Sequence, residues 1–118
     1  MSTLYLESVE LASEVRSLLP RLTQKDQDLA RRMKRSADEL TLHLEESMLA
    51  TGRLRRFELR AAEAALVELV GCVRAAKSVG YLEPRPLRLE ARIDQLRKRL
   101  SATSPERLGS GAKRAEAG

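Results

Sequence analysis

The sequence predicts an all-α protein: an antiparallel, up-down-up-down four-helix bundle with a disordered C-terminal tail. Three observations carry this expectation. The chain is rich in Leu, Ala, Arg and Glu, all good helix formers, while the aromatic residues that favour strands make up only 3% of it (Tyr5, Phe57 and Tyr81). Apolar residues recur at steps of three and four along four successive segments, which is the period of one helix face. Short stretches holding Pro, Gly or capping residues separate these segments, and helices joined by short links pack as antiparallel neighbours. With 118 residues the chain has material for one core. The bundle is expected over residues 1–101 and the tail over 102–118.

The first helix is expected from about Thr3 to Leu19, with Leu4, Leu11, Val15, Leu18 and Leu22 at helical spacing and Glu7, Glu10 and Glu14 on another face. Pro20 is expected to end it, because a proline ring disfavours helical geometry at the preceding residue. The segment from Pro20 to Lys25 then reads as a turn. A second helix opens near Thr23 or Asp26, either of which can cap free amides through a side-chain oxygen. Its apolar line is Leu29, Met33, Ala37, Leu40, Leu44 and Met48; Leu42 and Leu49 lie off that line and hint at a second buried face. Thr51-Gly52 supplies its expected stop, since Gly can take the left-handed conformation of a C-terminal cap.

The third helix, from about Leu54 to Val79, has the clearest pattern. Leu59, Ala62, Leu66, Leu69, Val73 and Ala76 alternate steps of three and four, the seam of helices packed side by side. Small residues at Ala61, Ala62, Ala64 and Ala65 would let a neighbouring backbone approach, and Gly71 marks an expected close crossing. Gly80 ends the helix. Pro84 and Pro86 then suit the first turn of a fourth helix, where a missing N–H goes unnoticed. That helix is expected to reach about Leu100, burying Leu89, Ile93, Leu96 and Leu100. Beyond it the chain lacks apolar residues to bury.

Composition narrows the functional classes. Cys72 is the single cysteine, so no internal disulfide can form, and a reducing cytoplasm fits. Glu7, Glu10 and Glu14 stand where a signal peptide needs a basic start and an apolar run, and no stretch is apolar enough to cross a bilayer. A soluble, cytoplasmic protein without membrane contact is expected. His43 is the one histidine; Glu39 lies one turn before it, with Asp38 alongside. One imidazole falls short of the several inward-facing ligands that bundle metal sites use, so a histidine at a helix face or interface is the reading, with no metal and no cofactor. Cys72 sits between Gly71 and Val73 in an apolar stretch and reads as a small buried hydrophobe rather than a nucleophile. The serines lack a nucleophile-elbow context, Gly109-Ser110-Gly111 precedes no helix, and Glu45-Glu46 reads as a solvated acidic pair. The expectation is a protein that is not an enzyme.

The charge balance points instead to binding. Lys and Arg total 22 against 17 Asp and Glu, a formal net charge of +5, and most of the cations are Arg, which grips phosphate or carboxylate through two parallel hydrogen bonds. Arg31, Arg32, Lys34 and Arg35 cluster early in the second helix, Arg53, Arg55, Arg56 and Arg60 at the start of the third, and the fourth carries the largest local excess. Acidic residues interleave with them, as on an ordinary solvated surface. The candidate phosphate or partner contacts are Arg31, Arg32, Arg35, Arg55, Arg56, Arg92 and Arg99. With so few aromatic residues to stack on bases, RNA or DNA binding would run through backbone phosphates. The alternative is a structural or adaptor bundle that binds another protein and no nucleic acid.

The stretch Arg35-Ser36-Ala37, Glu39-Leu40, His43-Leu44 and Glu46-Ser47 resembles the motif RAxxSIxxNIxEG, with His43 in place of Asn, Ser47 in place of Gly and Glu39 in place of Ser. Ala62, Ala64, Ala65 and Glu68 fall where the same proteins have AxGSxxE, and Gly80-Tyr81-Leu82 matches their GYL turn. These motifs belong to the bacterial four-helix-bundle family related to proteins of large-subunit rRNA intervening sequences, which includes the accessory variability determinant of diversity-generating retroelements. The resemblance implies a homo-oligomer, a pentamer around a central opening, with basic surfaces for nucleic acid or a polymerase-type partner such as a reverse transcriptase.

Overall fold

The computed structural model describes residues 3–82 and 87–103. They form four helices, α1 (Thr3–Lys25), α2 (Gln27–Leu49), α3 (Gly52–Ser78) and α4 (Leu87–Thr103). Each helix packs on two others, α1 on α2 and α4, and α3 on α2 and α4. Cross-helix pairs fix the directions. Glu7 meets Arg99 while Glu14 meets Arg92, so α1 and α4 run antiparallel; His43 meets Glu58 while Arg32 meets Glu68, so α2 and α3 do too. The expected antiparallel bundle is present.

The core follows the apolar lines, except that Met48 of α2 is exposed and Leu4 and Leu18 of α1 are partly buried. Leu11, Val15 and Leu22 from α1, Leu29, Met33, Ala37, Leu40 and Leu44 from α2, and Leu89, Ile93, Leu96 and Leu100 from α4 are all buried, as is the whole α3 seam from Leu59 to Ala76. Full burial of a leucine stabilises by roughly 1.5–3 kcal/mol, so this one interior dominates the fold. The buried hydroxyls of Ser8, Ser36 and Ser47 donate to carbonyls one turn earlier on their own helices, which removes the cost of an unpaired polar group.

Four expectations need correction. Pro20 lies inside α1 and does not end it. The proline is on an exposed face, where water can take the place of its missing N–H, and continuing the helix buries Leu22 completely. The turn expected from Pro20 to Lys25 therefore shrinks to Asp26. Its N–H still donates to the Leu22 carbonyl (2.8 Å), while its carboxylate accepts from the Leu29 N–H (3.0 Å) and caps α2. Gly52 does adopt a positive φ of 59°, but at the start of α3; α2 stops at Leu49, followed by an extended Ala50. Leu42 and Leu49 are exposed, so the further face they were expected to bury is uncovered among the described residues. Gly71 is exposed as well and marks no close crossing, because a Cβ placed there would meet nothing within 4 Å.

Gly80 closes α3 as expected, with φ 80°. Tyr81 N–H donates to the Ala76 carbonyl (2.8 Å) and Gly80 N–H to that of Lys77 (3.0 Å), the paired bonds of a Schellman motif. The helix α4 continues past the expected boundary through Ala102 and Thr103. The rest of the expected tail, 104–118, and the prolines at 84 and 86 lie outside the described residues.

Candidate functional site

The structure does not gather the seven candidate arginines on one face. Arg92 lies against α1, where its guanidinium pairs with both Glu10 and Glu14, and Arg99 pairs with Glu7. The hydrogen bond to Glu10 is the main reason that the Arg92 guanidinium holds its proton even more firmly than an ordinary arginine, with the Glu14 charge adding to it and partial desolvation opposing it. These two residues serve the α1–α4 seam, and their charge is already answered. Arg32 reaches across to Glu68 of α3 at 4.0 Å, and Arg31 lies 3.7 Å from Asp28 on its own helix. Arg35 has no ion-pair partner among the described residues, yet it shares a shallow groove on α2 with Asp38 and Glu39, so the local field is mixed.

Arg55 and Arg56 are placed differently. Both are exposed, as is the neighbouring Arg53, and none of the three has an ion-pair partner among the described residues. They fall within the first five residues of α3, whose first turn contains no acidic residue and whose N-cap, Thr51, makes no side-chain capping bond. A helix N-terminus carries partial positive charge and unpaired N–H groups. Three added cations raise that potential, where most helices place acidic residues. Interleaved with them, Leu54 and Phe57 stand 57% and 62% exposed, and Leu49 at the end of α2 stands 84% exposed. Apolar residues this bare, beside arginines without an ion-pair partner among the described residues, make the α2–α3 end a mixed apolar and cationic patch. Arg53, part of the basic cluster at the start of the third helix though not one of the seven candidates, belongs with Arg55 and Arg56 by its position. Among the described residues Arg88, Arg97 and Lys98 of α4 have no ion-pair partner, and the last two border a groove that they share with Asp94.

A second arrangement joins residues of α2 and α3. Glu58 on α3 is buried, its side chain only 8% exposed, and His43 Nδ1 lies 2.7 Å from its Oε1. Glu46, one turn along α2 from His43, joins them; one ligand atom from each of the three residues falls within 4.8 Å of the others. The expected neighbours of His43, Asp38 and Glu39, take no part: Asp38 pairs with Arg16 and Lys34 instead. A signal for Glu58 did exist. Glu58, Ala62, Ala65, Leu69, Cys72 and Ala76 form a second heptad line on α3, and every one of them is buried.

Cys72 is buried as expected, and burial pushes its thiol pKa up; Arg32 opposes that shift and Glu68 adds to it. Such a thiol is a poor nucleophile at neutral pH. Between α3 and α4 a cavity of about 80 Å³ is lined by Val70, Val73, Arg74, Glu90, Ile93 and Asp94, while larger grooves of about 510, 330 and 350 Å³ lie among charged side chains on α4, between α1 and α4, and on α2. None of the described helices is long and apolar enough to cross a membrane. Comparison with protein-family models, curated proteins and solved structures gave no match.

Proposed function

We propose that the protein is a non-enzymatic accessory factor that binds the phosphates of RNA or DNA through the α2–α3 end of the bundle. The observation that carries this reading is the set Arg53, Arg55 and Arg56, without ion-pair partners among the described residues, at the positive end of α3, whose N-cap makes no side-chain bond. A polyanion there would satisfy the arginines and the free N–H groups together. Resemblance to the rRNA-intervening-sequence and retroelement accessory family supports the same reading, and extends it to a polymerase-type partner. The exposed Leu42, Leu49, Leu54, Phe57 and Val67 further support a homo-oligomer, five-membered by that resemblance, since these apolar residues on α2 and α3 remain uncovered among the described residues. Assembly would multiply weak phosphate contacts by avidity.

The test is fluorescence anisotropy on RNA and DNA across a salt series, with the oligomeric state fixed by light scattering. Binding should weaken steeply with salt, by about 0.9 in log–log slope for each phosphate neutralised. Arg55→Glu with Arg56→Glu should weaken binding and flatten that slope, whereas Arg92→Gln should leave the slope unchanged. Equal affinity in the Arg55/Arg56 variant would remove this end as the site. No binding even at low salt would favour the adaptor reading, for which the bare Leu49, Leu54 and Phe57 already speak.

A further inference from the structure

We propose that His43, Glu46 and Glu58 form a binding site for a divalent transition-metal ion, bridging α2 and α3. The three side chains come from two helices and converge: His43 and Glu46 are three residues apart on α2, hence on one face, and Glu58 enters from the second turn of α3. Their donor atoms lie within 4.8 Å of one another. Donors bound about 2.1 Å from one zinc ion stand roughly 3.4 Å apart, a closure within reach of the torsions of the half-buried Glu46.

Electrostatics give the reason for an ion. A buried carboxylate is costly unless its charge is answered. Among the described residues neither Glu46 nor Glu58 pairs with Lys or Arg, and His43 is the one ionisable partner of Glu58. A neutral imidazole leaves two carboxylates at the interface with an uncompensated charge, which a divalent cation would neutralise. The ion would take the place of the proton between His43 Nδ1 and Glu58 Oε1. The imidazole then carries its proton on Nε2 and gives the Nδ1 lone pair to the metal; a doubly protonated imidazole would release one proton to solvent. One nitrogen and two carboxylate donors, with water completing the shell, suit zinc and its neighbours better than magnesium or calcium, which prefer oxygen alone. The site would pin the α2–α3 hairpin, independently of whether the arginine end binds nucleic acid.

The experiment uses untagged full-length protein stripped of metal by a chelator. Zinc titration by calorimetry should show one ion per chain, and zinc but not magnesium should raise the Tm. Because His43 is the chain's one histidine, its imidazole NMR resonance should shift with the same stoichiometry. Glu46→Gln, at a half-buried position and checked for helix content by circular dichroism, should weaken zinc binding roughly tenfold or more. Absence of saturable zinc binding would overturn the proposal. So would an unmoved His43 resonance, unchanged affinity in Glu46→Gln, or magnesium competing on equal terms, which would mark ordinary attraction to acidic groups.

Discussion

At the residue scale, two buried groups have different fates. Cys72 is surrounded by apolar packing that disfavours its thiolate. In the native protein it should react with thiol reagents far more slowly than in denaturant, a contrast that a timed alkylation experiment would measure. The sign of its contribution to stability follows. The folded chain holds the thiol proton longer than the unfolded chain, so stability should decline as pH rises from the ordinary thiol value toward the raised one. A denaturation series across that alkaline range, compared with Cys72→Ala, isolates the effect. Glu58 is buried too, but faces an imidazole and a second carboxylate, so its surroundings call for a counter-charge rather than for packing.

At the element scale, α1 shows local preference losing to tertiary packing. Proline inside a helix costs about 3 kcal/mol in exposed settings, through a lost hydrogen bond and a clash. Here the residues beyond Pro20 deliver Leu22 to the core, and the helix runs on to Lys25. Pro20→Ala should therefore stabilise the protein by roughly 1–3 kcal/mol, since the helical geometry is already in place and only the missing bond is restored. Urea denaturation would read this as a higher midpoint at unchanged slope; a lower midpoint would mean that the proline sets the α1–α2 reversal.

At the scale of the whole molecule, two kinds of contact hold α4 in place. Leu89, Ile93, Leu96 and Leu100 insert into the core, and Arg92 and Arg99 pair with the α1 glutamates at the edge. Magnitudes decide between them. Ion pairs at this exposure typically contribute up to about 1 kcal/mol, whereas truncating a buried leucine costs about 2–5 kcal/mol. Arg99→Gln should thus lower stability by less than about 1 kcal/mol, with the difference fading at high salt. Leu96→Ala should cost several times more at any salt. Chemical denaturation of both variants at low and high salt would test the ranking.

The four-helix architecture and most of its core were determined by the sequence alone, because the three-and-four spacing of Leu, Ala, Val and Ile is a local property that survives any detail of packing. The α3 seam is the clearest case: Leu59 through Ala76 were named as core and are core. What depends on which helix stands next to which could be decided only by the tertiary structure. Arg92 and Arg99 read as open cations along the chain, but the antiparallel pairing of α1 and α4 sets them against Glu7, Glu10 and Glu14. Leu42 and Leu49 read as candidates for burial, but no fifth helix exists among the described residues to cover them. His43 and Glu58 are 15 residues apart and meet because α2 and α3 fold back on one another. A helical period tells which side chains share a face, while charge pairing and ligand geometry are set by the face that comes to lie opposite.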